Sequence, residues 1–160
     1  MNIVNKGKTG IIVMVFVALC ITAWATKCHG EGIAVSGGAA VIRGPTAALQ
    51  VEWQWKSPQS RDAHWETGVT MIGNSTFSGV EQNNTFALNA TYVDGFGPVD
   101  IGIGPAYLQN TDTYNHEGMN FNLMLGYHHG RYFVHYNHFS NAGSKTPNLG
   151  RDLVMVGVVL

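Results

Sequence analysis

The sequence predicts an all-β protein, an eight-stranded antiparallel β-barrel of the outer-membrane type, and three observations support this prediction. Charged residues make up only 12% of the 160 residues, whereas about a quarter is usual in soluble domains. Beyond the N-terminal segment no long unbroken apolar stretch follows, so a membrane form would have to satisfy its backbone groups as a closed barrel. Segments of about ten residues alternate between apolar and polar positions, which is the pattern of barrel strands.

The N-terminal segment has the features of a secretory signal peptide. Lys6 and Lys8 precede an apolar run over residues 11–23, which ends in the small-x-small pattern Ala23-Trp24-Ala25 that signal peptidase accepts. A membrane-spanning helix would need about 20 apolar residues, and this run is shorter. We therefore predict a signal peptide at residues 1–25, with cleavage after Ala25, and one transmembrane β-barrel domain at residues 26–160.

The cysteines and the charge exclude other classes. Cys20 follows Leu19 and Cys28 follows Lys27, where a lipidated cysteine would follow a small residue, so a lipoprotein is not expected. Cleavage would leave Cys28 alone and no internal disulfide. The formal net charge is −1 without a basic block, so nucleic acid is not expected as a partner.

Two segments show the alternation most clearly, residues 47–56 and residues 118–128. In the first, Leu49, Val51 and Trp53 share one face, while Gln50 and Glu52 lie on the other. Weaker alternation predicts the remaining six strands, at residues 33–42, 63–72, 85–93, 99–108, 131–141 and 151–160. Each is about as long as a tilted strand that crosses a bilayer.

Connection lengths agree with a barrel whose two chain ends lie in the periplasm. The predicted inner connections are short and comprise residues 57–62, 94–97 and 129–130. Three of the predicted outer connections are longer, at residues 73–84, 109–117 and 142–150, whereas the first, at residues 43–46, is short. Short periplasmic turns and longer external loops are typical of outer-membrane barrels.

The positions of the aromatic residues favour a membrane barrel over the alternative, a soluble β-sandwich or a lipocalin-like barrel, which would alternate in the same way. Tryptophans and tyrosines share the parity of the apolar face, several of them near strand ends, where interfacial girdles lie. They are Trp53, Trp55, Trp65, Tyr92, Tyr107, Tyr127, Tyr132 and Tyr136.

Three polar residues of the last two strands fall on the predicted lipid face. His138 and Ser140 share the parity of Tyr136, and Asp152 shares the parity of Val154. A serine hydroxyl needs a base to become a nucleophile, and an imidazole held by a carboxylate supplies one. These residue types are those of a serine hydrolase, although polar side chains at a strand end also occur among lipid headgroups.

Five other histidines are interpreted as surface or rim residues; they are His64, His116, His128, His129 and His135. The spacing of His128, His129 and His135 could suggest a metal, but no acidic or cysteine ligand set surrounds them in the sequence. No metal site is therefore predicted.

One stretch of sequence resembles a known family. The residues His138-Phe139-Ser140-Asn141-Ala142-Gly143, followed by Pro147-Asn148 and Asp152, resemble the signature of the lipid A 3-O-deacylase (PagL) family. The resemblance implies an eight-stranded outer-membrane barrel with a serine hydrolase triad on its outer, membrane-facing surface.

By position, the resemblance implies that Ser140 is the nucleophile and His138 the base. It also implies an oxyanion hole made by Asn148 and the backbone amide of Gly143, with Asn141 as a local support. The sequence departs from the family at Asp152, where the family usually has glutamate. Aspartate keeps the charge on a side chain that is one methylene shorter.

The implied activity is hydrolysis of the ester that links a 3-hydroxyacyl chain to the 3-position of lipid A, through an acyl-enzyme, in the outer membrane of a Gram-negative cell. This chemistry needs no metal and no cofactor. The alternatives are a phospholipase or general esterase on the same barrel, and a non-enzymatic surface barrel. The sequence leaves acyl-chain preference open, as well as the choice between a monomer and a homodimer.

Overall fold

The computed structural model describes residues 32–42, 44–57, 63–111, 117–146 and 148–160. The predicted signal peptide and Cys28 lie outside the described residues. Within the described ranges, no helix is long and apolar enough to cross a membrane.

The described residues form ten strands: β1 (Ile33–Ala40), β2 (Thr46–Lys56), β3 (His64–Ile72), β4 (Ser75–Phe77), β5 (Val80–Gln82), β6 (Thr85–Phe96), β7 (Val99–Gln109), β8 (Gly118–His129), β9 (Tyr132–Ser140) and β10 (Arg151–Val159). Eight of them form a closed barrel in the order β1-β10-β9-β8-β7-β6-β3-β2, and β4 pairs only with β5. Every neighbouring pair of barrel strands is antiparallel. The predicted eight-stranded antiparallel barrel is therefore confirmed.

The two ends of the barrel differ in their connections. We call the end with the connections after β2, β6 and β8 the turn end, and the opposite end, with the connections after β1, β3, β7 and β9, the loop end. The turn end is tighter than predicted after β6, because Asp94 and Gly95 pair with Ile101 and Asp100. The strand therefore continues to Phe96, three residues past its predicted end, and the chain reverses at residues 97–98.

A small hairpin projects from the loop end. It comprises β4 and β5 and lies within the connection that the sequence predicted as a plain loop. Its turn residues Ser78 and Gly79 have φ angles of 51° and 77°, and two consecutive positive φ angles are what the two-residue type I′ turn requires. Strands of three residues are too short for their alternation to stand out in the sequence.

Side-chain alternation sorts the barrel wall into an outer apolar face and a mixed interior. On β8, the outward residues Leu123 and Leu125 are 49% and 53% exposed, whereas the inward residue Asn122 is 1% exposed. Outward aromatic rings cluster near the turn end, where Trp65 and Tyr92 lie edge to face with ring centroids 5.3 Å apart. This agrees with an aromatic girdle at one membrane interface.

The interior has two layers. Near the loop end it is an apolar cluster of Ala40, Ala48, Ile72, Ala87, Ala106, Leu108, Phe139, Leu153 and Met155. Further toward the turn end, hydrogen bonds join polar side chains, such as Gln54 to Glu66 at 2.7 Å and Asn122 to Asn137 at 3.1 Å. Buried polar groups need such partners, so this network fixes the interior rotamers.

Candidate active site

The alternation of β9 places the predicted base and nucleophile on the outer wall. Its inward residues Phe133, His135, Asn137 and Phe139 are buried, so His138 and Ser140 point outward near the loop end. Asp152 of β10 is the register partner of His138. Side chains at directly opposed positions of an antiparallel pair have Cβ atoms about 5 Å apart. Strand pairing alone therefore brings the imidazole and the carboxylate together.

The carboxylate of Asp152 makes two hydrogen bonds. Its Oδ1 lies 2.8 Å from His138 Nδ1, and it also accepts a hydrogen bond from the hydroxyl of Tyr136. The side chain of Asp152 is 7% exposed and that of His138 is 29% exposed. Since Nδ1 is bound to the carboxylate, Nε2 is the ring nitrogen that remains for proton transfer.

Ser140 is bound to the following loop. Its Oγ accepts hydrogen bonds from Asn148 Nδ2 at 2.9 Å and from the Ala142 amide at 3.2 Å. Within the part of the chain that the structure describes, no hydrogen bond joins Ser140 to His138. The two residues are two apart on one face, so their Cα atoms are about 7 Å apart. Catalytic hydrogen bonds are often absent before substrate binds, so this geometry does not exclude the pair.

Asn141 organises the connection between β9 and β10. Its side chain accepts a hydrogen bond from the Gly143 amide at 2.9 Å and donates one to the Lys145 carbonyl at 3.3 Å. Ala142 and Gly143 both have positive φ angles, 52° and 79°. The amide of Gly143 is therefore directed to Asn141, and it is the amide of Ala142 that is directed to Ser140.

Three groups at this site were not singled out from the sequence. Tyr136 could have been found, because it shares the outward parity of His138 and precedes it by two positions. Gly150 has a φ angle of 67°, and a Cβ there would lie 2.5 Å from His138 Cε1; its place just before β10 was the only sequence signal. The amide of Ala142 left no sequence signal, because its direction depends on the loop conformation.

The outer wall beside the site is apolar. In the β8–β9 register Ser140 pairs with Phe121 and His138 with Leu123, and these two apolar side chains are 50% and 49% exposed. The polar cluster thus lies beside a strip of exposed apolar side chains, which are more stable in contact with hydrocarbon than with water. Chemically, the arrangement suits hydrolysis of an ester carried by a molecule with long acyl chains.

The chain matches a known family, and its fold is similar to that of solved structures. The family model described as lipid A 3-O-deacylase (PagL) matches residues 45–160. Among solved structures, the chain is similar to the crystal structure of the outer membrane enzyme PagL, with a TM-score of 0.54 and 22% identity over 81% of this chain and 99% of that one. It is also similar to the Yersinia pestis outer membrane protein Ail in a phospholipid nanodisc, with a TM-score of 0.45 and 9% identity over 81% of this chain and 100% of that one. No curated protein matches the chain. The likeness to the crystal structure supports the fold.

Proposed function

The chain belongs to the lipid A 3-O-deacylase (PagL) family, whose model covers residues 45–160, and on this premise we propose that Ser140, His138 and Asp152 hydrolyse the 3-O-linked acyl ester of lipid A. The observation that carries the proposal is the hydrogen bond of 2.8 Å between His138 Nδ1 and Asp152 Oδ1 on the same outward face as Ser140. A barrel without catalytic function has no need for a histidine–carboxylate pair beside a serine on its lipid face.

The reaction has two halves. His138 Nε2 takes the proton of Ser140 as Oγ attacks the ester carbonyl carbon, and the resulting tetrahedral intermediate expels the 3-oxygen of the glucosamine, which receives that proton. The 3-hydroxyacyl chain is then bound to Ser140 as an ester. In the second half His138 takes a proton from water as the water oxygen attacks the acyl-enzyme. The second tetrahedral intermediate then collapses, His138 returns that proton to Ser140 Oγ, and the free 3-hydroxy fatty acid leaves.

Asp152 and Tyr136 support His138. The carboxylate holds the ring in the tautomer that exposes Nε2 as a base, and it stabilises the imidazolium that forms during each half-reaction. Its limited exposure to solvent strengthens this interaction, since hydrogen bonds gain electrostatic strength in a low dielectric. The hydroxyl of Tyr136 holds the carboxylate in place from the same strand as His138.

The donors that now bind Ser140 Oγ supply an oxyanion hole. When Ser140 turns toward His138, Asn148 Nδ2 and the Ala142 amide are released and face the position where the carbonyl oxygen gains charge. Pre-positioned donors of this kind contribute about 3–4 kcal/mol of transition-state stabilisation each. The amide of Gly143, which the family resemblance implies, joins them if Asn141 Oδ1 gives up its hydrogen bond.

The setting suits a substrate in the outer leaflet. The loop end faces the cell exterior, so the site lies where the sugar headgroup of lipid A meets hydrocarbon, and the acyl chains lie along Phe121 and Leu123 of the wall. This placement requires export, so residues 1–25 act as the signal peptide and are removed after Ala25.

Mass spectrometry of lipid A from Gram-negative cells that express the protein tests the proposal. We expect loss of one 3-hydroxyacyl mass with the wild type and no loss with Ser140→Ala. Ser144→Ala is the matched control, because Ser144 lies in the same loop and is exposed. Among the described residues it takes part in hydrogen bonding only through its backbone amide.

Heat-modifiable migration on gels shows that each variant is folded. Deacylation by a folded Ser140→Ala variant would refute the assigned nucleophile. Unchanged lipid A together with fatty acids released from phospholipids would favour the phospholipase alternative. Unchanged lipids throughout would favour the non-enzymatic barrel.

A further inference from the structure

A cluster of metal-ligating side chains lies inside the barrel near the turn end, away from the candidate active site. It consists of Asp100 on β7, His128 on β8 and His135 on β9. His128 Nε2 lies 2.7 Å from Asp100 Oδ2 and 3.0 Å from His135 Nε2. His135 is fully buried, whereas the side chains of His128 and Asp100 are 22% and 11% exposed.

The barrel register builds this cluster. Asp100 pairs with Gly126, and Gly126 pairs with His135, so the three positions form one row across β7, β8 and β9. A Cβ on Gly126 would lie 2.9 Å from His135 Cδ2 and 3.3 Å from Asp100 Cβ. The absence of a side chain at Gly126 therefore leaves the space in which Asp100 and His135 approach each other. His128, two residues further along β8, completes the set from the same face.

Hydrogen bonds alone cannot satisfy Asp100 Oδ2, His128 Nε2 and His135 Nε2 at the same time. A ring nitrogen carries at most one proton, so His128 Nε2 can donate either to Asp100 or to His135. The other close pair is then left without a proton between its atoms, because a protonated ring nitrogen has no lone pair with which to accept a hydrogen bond. A cation that accepts all three lone pairs removes this conflict.

The buried carboxylates around the cluster also favour a bound cation. The ligand atoms of Glu52, Glu66 and His135 also lie within 4.8 Å of one another, and Glu52 and Glu66 are only 3% and 1% exposed. In the described ranges, Glu52 Oε2 and His135 Nδ1 are buried without a hydrogen-bond partner. Carboxylates buried without opposite charge are strongly unfavourable.

Lysine and arginine side chains do not offset these carboxylates, and the nearby basic group is a histidine, His64, whose Nε2 lies 3.0 Å from Glu66 Oε1. Among the described residues, Arg151 is the only lysine or arginine that is buried, and it begins β10 at the loop end. The turn-end half of the interior therefore combines carboxylates with histidines.

We propose that Asp100, His128 and His135 bind one divalent transition-metal ion, with Zn²⁺ as the best fit. Two imidazoles and one carboxylate form a common zinc ligand set, with bonds of about 2.0–2.2 Å. Tetrahedral ligands at that distance are about 3.3 Å apart, so the two close pairs, at 2.7 and 3.0 Å, need to separate by only about 0.3–0.6 Å. The partly exposed edges of His128 and Asp100 leave a fourth position for water and a path for the ion from the turn end.

Glu52 and Glu66 form the outer shell of this site. Once Nε2 of His135 binds the metal, its Nδ1 is free to donate to one of these carboxylates, and such a bond orients a metal-bound histidine. The metal joins β7, β8 and β9 from within and takes no part in the deacylation. The sequence did not predict this site, because the acidic ligand Asp100 lies on β7, whereas the two histidines lie on β8 and β9.

The test uses the folded protein purified in detergent, stripped with EDTA and then titrated with ZnCl₂. We expect about one Zn²⁺ per chain by elemental mass spectrometry after gel filtration, and a higher thermal midpoint, because an ion that binds only the folded state stabilises it. Co²⁺ should give the visible absorption of a tetrahedral site with histidine ligands.

Variants decide whether this cluster is the site. Asp100→Asn and His135→Gln should each abolish stoichiometric Zn²⁺ binding, and Glu52→Gln should weaken it about 10–100-fold. His129→Gln is the matched control, since His129 lies in the same hairpin but is exposed. It should bind Zn²⁺ as the wild type does.

A folded wild type that retains no Zn²⁺ and gives no tetrahedral Co²⁺ spectrum would overturn the proposal. Retention of stoichiometric Zn²⁺ by a folded Asp100→Asn variant would also overturn it, since the ion would then lie elsewhere. If His135→Gln does not fold, Asp100→Asn and the Co²⁺ spectrum of the wild type still decide. These readouts do not depend on deacylation.

Discussion

At the scale of single residues, the position of Asp152 explains how a short carboxylate reaches His138. Asp152 is the direct register partner of His138, and its Oδ1 is already 2.8 Å from Nδ1. A longer side chain is therefore not needed to reach the ring. Tyr136 binds the same oxygen, which limits the freedom that a shorter carboxylate would otherwise leave to the histidine.

The charge of the side chain, rather than its length, should therefore decide which substitutions of Asp152 keep activity. Asp152→Asn keeps the size but loses the charge and the tautomer control, and we expect kcat to fall about 10⁴-fold. Asp152→Glu keeps the charge, and we expect it to retain activity within about tenfold, because displacements below about 1 Å cost less than 10²-fold. The rates are compared on purified lipid A in detergent. Equal, near-wild-type rates for both variants would show that the charge of Asp152 takes no part in the reaction.

The sequence indicated which residues belong to this site better than it indicated their hydrogen bonds. Strand parity placed His138, Ser140 and Asp152 on one face, and the family resemblance added Asn148. The hydrogen bond of Ser140 to Asn148 and the direction of the Ala142 amide depend on positive φ angles in the loop. Backbone conformations of this kind cannot be predicted from a single sequence. The catalytic roles remain predictions.

At the scale of strands and loops, period-two alternation was informative because each strand separates lipid from the interior. It predicted all eight barrel strands, with bounds within three residues. It failed where this contrast is absent. Strands β4 and β5 have only three residues each, too few for alternation to stand out, and the end of β6 contains Asp94 and Gly95, which are typical of turns.

The start of β10 is an element boundary that also shapes the candidate active site. Gly150 has a φ angle of 67°, and a Cβ there would lie 2.5 Å from His138 Cε1. Gly150→Ala should therefore displace the imidazole and lower the deacylation rate about 10²-fold or more. The barrel should still show heat-modifiable migration, because Gly150 precedes the paired residues of β10.

Gly130→Ala is the control for this substitution. Its φ angle of 62° gives similar backbone strain, but nothing lies within 4 Å of the added Cβ, and it is at the turn end. We expect nearly normal activity for Gly130→Ala. If the two variants deacylate lipid A equally fast, Gly150 does not position His138.

At the scale of the whole molecule, the two ends of the barrel have different chemistry. The candidate active site lies on the outer wall at the loop end, directly outside an apolar interior cluster that includes Phe139 and Leu153. The buried carboxylates and histidines lie inside the turn-end half. Closure of the barrel through β1 and β10 holds both ends in one hydrogen-bonded wall. Because the buried carboxylates and histidines lie at the opposite end from the candidate active site, substitutions among them can be tested apart from substitutions at that site.

Position relative to the bilayer gives the last prediction. Ile103 points outward from the middle of β7 and is 57% exposed, whereas Met119 points outward at the loop end of β8 and is 68% exposed. Arginine at the bilayer midplane costs about 2–4 kcal/mol, but about 0–1 kcal/mol near the interface. Ile103→Arg should therefore lower the free energy of unfolding in phospholipid vesicles far more than Met119→Arg. On a water-exposed wall both substitutions would change it by about 0.5 kcal/mol or less, so equal, small effects would contradict the assignment of this face to lipid.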